Sequence, residues 1–162
     1  MKAAIITSSD KGYAGEREDK SGPVIKEMLT GAGYEVVEAV VLPDEKTILA
    51  EKMLFYCNQN VDLVLTTGGT GFSKRDVTPE ATRMVIEREA CGITQAMLYH
   101  SLSITPRAML TRAIAGIRGN TLIVNMPGSP KAVREDLEYI LPSLEHGLEI
   151  LKGTAAECAR PD

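Results

Sequence analysis

The sequence predicts an α/β fold, a three-layer sandwich with a mainly parallel central sheet, and three observations predict it. Four short apolar runs lack the polar–apolar alternation of a sheet wet on one face, so they read as strands covered on both sides. Segments with helical periodicity separate those runs. A parallel pair needs such a crossover, which a two-residue hairpin turn cannot supply.

The first strand is Ala3 to Thr7. A helix opened by Ser21-Gly22-Pro23 follows, with Ile25, Met28 and Leu29 on one face and Gly31 and Gly33 ending it. Val36 to Leu42 is the second strand, interrupted by Glu38. The next helix follows Asp44 and places Ala50, Met53, Leu54 and Cys57 on one stripe, which makes Cys57 a core residue; Asn58-Gln59-Asn60 closes it. Leu63 to Thr66 is the third strand. Beyond a Gly-rich loop, Thr78-Pro79-Glu80 offers an N-cap, a proline in the first turn and an acidic charge, for a helix expected to run to about Ala90. A helix around Ile93 to Leu102 breaks before Pro106. Ala113 to Ile117 and Thr121 to Asn125 read as two strands joined by the turn Arg118-Gly119-Asn120, and Leu122 to Asn125 is the fourth apolar run. The last helix starts at Ser129-Pro130 and buries Val133, Leu137, Ile140, Leu141, Leu144, Leu148 and Leu151, with Pro142 expected to kink or interrupt it.

No repeat, low-complexity tract or linker divides the chain, so residues 1–153 read as one α/β domain and 154–162 as a flexible tail. The 18 basic and 22 acidic residues give a formal charge of −4, with no basic run, which argues against a nucleic-acid partner. The 3 cysteines, Cys57, Cys91 and Cys158, are far apart and never in Cys-x-x-Cys spacing, so neither a disulfide framework nor a zinc site is predicted and a reducing cytoplasm fits. The apolar run after Met1-Lys2 is too short for a signal-peptide core and no segment is long enough to span a membrane, so a soluble, unprocessed chain is expected.

In open α/β sheets ligands bind beyond the carboxyl ends of the strands. Here those exits are Thr7-Ser8-Ser9-Asp10, Leu42-Pro43-Asp44-Glu45, Thr66-Thr67-Gly68-Gly69-Thr70-Gly71 and Asn125-Met126-Pro127-Gly128-Ser129. Each carries a small hydroxyl, a carboxylate or a glycine cluster, the inventory of a phosphate-and-metal site. The Gly-rich loop lets the backbone approach an anion and turn several N–H groups toward it. It is no Walker A loop, because Gly-Lys-Ser/Thr is missing, and no dinucleotide fingerprint, because Lys74 stands at the third glycine position. Asp76 and Asp44 each precede a helix, so each reads either as a helix cap or as a ligand; as a pair they suit hydrated Mg²⁺, which takes one or two carboxylates plus substrate phosphates. His100 and His146 lack a nucleophile or a companion metal ligand and are not candidate catalysts.

The run from Thr66 to Thr82, with Thr-Thr-Gly-Gly-Thr-Gly-Phe-Ser-Lys-Arg-Asp-Val-Thr-Pro-Glu at its centre, resembles the signature of the MogA/MoaB-type molybdenum-cofactor biosynthesis proteins and the gephyrin G domain. Pro43-Asp44-Glu45, Arg118-Gly119-Asn120-Thr121-Leu122 and Asn125-Met126-Pro127-Gly128-Ser129 match that family as well, and the resemblance covers nearly the whole chain. It implies a trimeric three-layer α/β protein that binds molybdopterin and, in active members, joins AMP from Mg-ATP to it with release of pyrophosphate. It implies further that Asp44 and Asp76 are the essential, metal-holding acidic pair. Thr67, Gly68, Gly69, Thr70, Gly71, Pro127, Gly128 and Ser129 would line the ligand pocket, with Ser8 and Asp10 as weaker carry-overs. Some MoaB-type members depart at the acidic pair and lack the activity; this chain retains both aspartates and so sides with the active branch. The competing expectations are a molybdopterin-binding or scaffold protein that transfers nothing, and a nucleotide hydrolase on the same fold.

Overall fold

The computed structural model describes residues 1–154; the expected tail lies, apart from Thr154, outside the described residues. The elements are β1 (Lys2–Ser8), α1 (Asp10–Tyr13), α2 (Ser21–Gly31), β2 (Glu35–Leu42), α3 (Lys46–Asn58), β3 (Leu63–Thr67), α4 (Thr78–Arg83), β4 (Arg88–Glu89), α5 (Cys91–Leu102), a 3-10 turn (Pro106–Leu110), β5 (Ala115–Arg118), β6 (Thr121–Met126) and α6 (Pro130–Leu151). They build a six-stranded mixed sheet in the order β2-β1-β3-β6-β5-β4, in which β2, β1, β3 and β6 are parallel and β5 and β4 continue antiparallel.

Alternate residues of the central strands feed two cores. Ala3, Ile5, Leu63, Leu65, Val124 and Met126 pack with Ile25 and Leu29 of α2, Met97 of α5 and the Val133, Leu137, Ile140, Leu144, Leu148 stripe of α6. Ala4, Ile6, Val64 and Ile123 point the other way, onto Leu49, Met53 and Tyr56 of α3 and onto Ala81 and Val85. Period-two geometry thus produces the expected three layers, and coverage of both faces is why these strands carry no polar alternation.

Four readings change. β2 is an edge strand, alternately exposed rather than covered throughout, because its outer side has no neighbouring strand; Glu38 pairs there with Lys52 at 2.8 Å. The helix begun at Thr78 stops at Arg83 instead of running to Ala90, because Glu87 N–H donates to Ile117 C=O at 2.9 Å and Ala90 N–H to Ala115 C=O at 2.8 Å, drawing the segment into the sheet as β4. Thr78 is the first helical residue and makes no cap; its hydroxyl donates to Gly68 C=O at 2.9 Å. Pro142 does not interrupt α6, because it stands on the exposed face, where water can serve the carbonyl its ring leaves unpaired. Cys57 is partly buried against the second core, and burial pushes its thiol pKa up. Among the described residues no helix is long and apolar enough to cross a membrane.

Candidate active site at the carboxyl edge of the sheet

Strand register brings the four exits level. Ser8 pairs with Leu42, Thr7 with Thr67, and Thr67 with Met126, so the loops that follow all emerge at one edge. There they surround a cleft of about 560 Å³ lined by Ser8, Asp44, Thr67, Gly68, Gly69, Asp76 and Gly128 from the predicted set.

The Gly-rich loop bends because two of its glycines occupy the left-handed region, Gly68 at φ +87° and Gly69 at φ +65°. A side chain on either would also collide, at Gly68 with the Ser8 carbonyl and at Gly69 with the Thr78 hydroxyl. Thr78 N–H donates to Gly69 C=O at 3.1 Å, tying the loop's far end back to its beginning.

Both aspartates prove not to be helix caps. Asp44 Oδ1 accepts from the Ser8 hydroxyl at 2.6 Å and Oδ2 from Asp10 N–H at 2.9 Å, while Asp44 N–H donates to Asp10 Oδ1 at 3.0 Å. Asp76 Oδ2 accepts from Ser73 N–H at 2.9 Å, and neither α3 nor α4 has a side-chain cap. Both residues line the cleft, and each carboxylate keeps acceptor capacity beyond these bonds, since an ionised carboxylate offers about four acceptor sites. Among the described residues no group of three or more His, Cys, Asp or Glu forms a metal cage. Two carboxylates on a polar cleft are a donor set that could hold Mg²⁺ together with substrate phosphates, which supply the remaining ligands.

The remaining predicted residues border the cleft rather than line it. Asp10 supports Asp44 as described. Thr70 is buried behind the loop, and Gly71 packs so close to Asp76 that a Cβ there would meet Oδ2 at 2.9 Å. Pro127 C=O accepts from the Thr67 hydroxyl at 2.6 Å, and Ser129 caps α6 by accepting from Ala132 N–H at 3.5 Å. Pro127 and Ser129 face a neighbouring, mostly apolar pocket of about 320 Å³ on the far side of the same turn.

Sequence reasoning missed the stretch between α1 and α2. Arg17 and Lys20 line the cleft and are its exposed cations. Asp19 beside them accepts from the Thr7 hydroxyl at 2.7 Å and from Ser21 and Gly22 N–H at 3.0 Å each, which starts α2. The available signal was Asp19-x-Ser21-Gly22-Pro23, an acceptor placed just before a helix start.

Lys74 and Arg75, the cations nearest Asp76 in sequence, do not line the cleft. Arg75 is committed elsewhere: its Nε and Nη2 grip Asp10 at 2.9 and 3.0 Å, and Nη2 reaches Glu45 at 2.8 Å. The Arg75 guanidinium, and after it the Asp44 N–H, hold the Asp10 carboxyl below its ordinary range. A depressed folded pKa stabilises above the unfolded pKa of about 3.9 and loses that contribution as pH falls through the folded value. Arg75→Gln is therefore expected to lower the denaturant midpoint at neutral pH, with its gap to the wild type closing under acid. A gap that stays constant with pH would show that the pair contributes nothing through Asp10.

A doubly wound α/β domain whose strand exits meet at a glycine loop, two carboxylates and two cations has the architecture suited to receiving phosphorylated small molecules. Residues 4–146 match the family described as "probable molybdopterin binding domain", and the chain belongs to that family. It is 37% identical over 152 residues to a molybdopterin adenylyltransferase of Helicobacter pylori, covering 92% of this chain and 86% of that protein. It is 42% identical over 157 residues to the gephyrin of Dictyostelium discoideum, but spans only 22% of that protein's length. Among solved structures, the molybdopterin biosynthesis enzyme MoaB from Thermus thermophilus superposes with a TM-score of 0.89 at 44% identity, over 94% of this chain and 96% of that one.

Proposed function

We propose that the chain is a molybdopterin adenylyltransferase of molybdenum-cofactor biosynthesis. It transfers AMP from Mg-ATP to the terminal phosphate of molybdopterin. The observation that carries this reading is the convergence of Asp44 and Asp76, from separate strand exits, on one glycine-floored cleft. The name of the Helicobacter relative supports it independently.

In the reaction a phosphate oxygen of molybdopterin attacks the α-phosphorus of ATP, a new P–O bond forms, and the bond to the bridging oxygen breaks so that pyrophosphate leaves. Such transfers need positioning and charge neutralisation rather than a protein nucleophile. Asp44 and Asp76 would hold Mg²⁺, which would supply charge neutralisation to the triphosphate. Ser8 and Asp10 N–H orient Asp44, the backbone of Gly68 and Gly69 forms the cleft wall on which phosphates would lie, and Arg17 and Lys20 add positive charge there. No histidine base is required, and His100 is stacked on Tyr139 at 4.5 Å instead.

The deciding experiment incubates the purified protein with molybdopterin, ATP and Mg²⁺ and reads the products by mass spectrometry. Adenylylated molybdopterin and equimolar pyrophosphate, both dependent on Mg²⁺, are expected. Molybdopterin bound but unchanged would make the chain a carrier, and pyrophosphate or phosphate release without pterin would make it a hydrolase. The cytoplasm, reducing and rich in ATP, is the compartment this activity suits. The family resemblance extends to a homotrimer, so sedimentation equilibrium is expected to give three times the 17.5 kDa chain mass, and a clean monomer would refute that assembly.

A further inference from the structure

One arginine outside the cleft is bound to the backbone of the loop that carries Asp76. Arg112 lies between the 3-10 turn and β5, half-buried, and does not line the cleft. Its backbone N–H donates to Thr70 C=O at 2.8 Å. Its Nε donates to Gly71 C=O at 2.6 Å and its Nη2 to Asp76 C=O at 2.6 Å, while Nη1 pairs with a Glu80 carboxylate oxygen. Four attachments therefore span the excursion from Thr70 to Glu80, the segment that leaves β3 and returns as α4.

Each of its three nitrogens holds a group of the protein and the residue does not line the cleft, so what this guanidinium does here is hold the loop. Its attachments fix the backbone on either side of the bend that aims Asp76. Within that bend Asp76 N–H donates to Ser73 C=O at 3.0 Å and Ser73 N–H donates to Asp76 Oδ2 at 2.9 Å. Those local bonds shape the turn but do not locate it, because both partners move together. The bonds to Arg112, the bonds of Thr78 to Gly68 and Gly69, and the clasp of Arg75 on Asp10 and Glu45 refer the turn to the rest of the fold, and of these only those of Arg112 hold the backbone on both sides of Asp76 among the described residues.

We propose that Arg112 is a positioning residue for Asp76: it holds the Asp76 carboxylate at the distance from Asp44 at which one Mg²⁺ can be shared. This rests on the adenylyltransferase reading above. The planar fork is essential to the role, since its donors diverge at fixed angles toward Gly71 and Asp76, whereas a lysine ammonium is a point charge on a flexible stem. A small displacement of a group that must meet substrate geometry is costly, up to about 10²-fold in rate.

Arg112→Lys keeps the charge and loses the fork. It is expected to lower kcat by roughly 10-fold to 10²-fold and to raise the Mg²⁺ concentration needed for half-maximal rate, with molybdopterin affinity unchanged. In Arg112→Ala, added guanidinium ion is expected to restore part of the lost turnover. Hydrogen exchange read by mass spectrometry is expected to speed up in the peptide covering residues 70–80 and not in β1 or β3. Wild-type turnover and Mg²⁺ requirement in Arg112→Lys would overturn the inference. So would a rate loss accompanied by weaker pterin binding and faster exchange throughout the sheet, which is the mark of general unfolding. If the wild-type protein forms no adenylylated product, the adenylyltransferase reading fails by itself; unchanged exchange at residues 70–80 would then separately remove the hold of Arg112 on the loop.

Discussion

Asp76→Asn is expected to lower adenylylation turnover by about 10²–10³-fold, the scale of losing one preorganised electrostatic partner of a transferring phosphoryl group. The fold should not notice. Asparagine has the same shape, and its amide oxygen can still accept from Ser73 N–H, the one side-chain hydrogen bond that Asp76 makes. What disappears is a negative charge on the cleft, and with it half of the acidic pair. Molybdopterin should bind the variant normally, and the melting temperature should stay close to that of the wild type. Asp44 is a less discriminating probe, because both its oxygens accept hydrogen bonds within the protein and an amide there would turn an N–H₂ toward a donor. Mass-spectrometric product formation by Asp76→Asn at a near-normal rate would remove this residue from the mechanism.

Gly68→Ala is expected to cost about 2–4 kcal/mol of stability, a fall in melting temperature of roughly 5–15 °C for a chain of this size. Two penalties coincide there. The backbone sits at φ +87°, which a residue with a Cβ rarely adopts, and the added methyl would run into the Ser8 carbonyl, a backbone atom that cannot swing aside. The collision also pushes on the residue whose hydroxyl orients Asp44 at 2.6 Å, so activity should fall further than stability alone explains. Gly119 supplies the contrast: it also has positive φ, but no atom stands within contact of a Cβ there. A melting curve for Gly68→Ala that overlays the wild type would contradict the crowding argument.

The sequence made the layers legible because burial on both faces leaves uninterrupted apolar runs, and Ile5, Leu65 and Val124 all lie where those runs predict. β4 was hidden, since Arg88-Glu89 is too short and too charged to stand out and exists only because β5 offers it partners. Asp44 and Asp76 could be picked out as candidates from their places at strand exits, but whether they capped helices depended on hydrogen bonds to Ser8, Asp10 and Ser73 that no local pattern encodes. Arg17, Lys20 and Arg112 were illegible for a related reason. Each reaches the cleft or its loop only through the folding together of distant chain segments, whereas Arg75, the cation next to Asp76 in sequence, clasps Asp10 and Glu45.

Asp62, at the opposite edge of the sheet, joins the two ends of the domain. Lys2 N–H donates to its Oδ2 at 2.7 Å, and Lys152, just past α6, reaches its Oδ1 at 2.9 Å. Lys2 and Lys152 therefore lie side by side, with the length of the strands between that junction and the cleft. Adjacent first and last elements, remote from a cleft, are the arrangement by which domains in general join to further segments. The Dictyostelium gephyrin, of which the matching region is 22%, is a protein in which this architecture is one part among others.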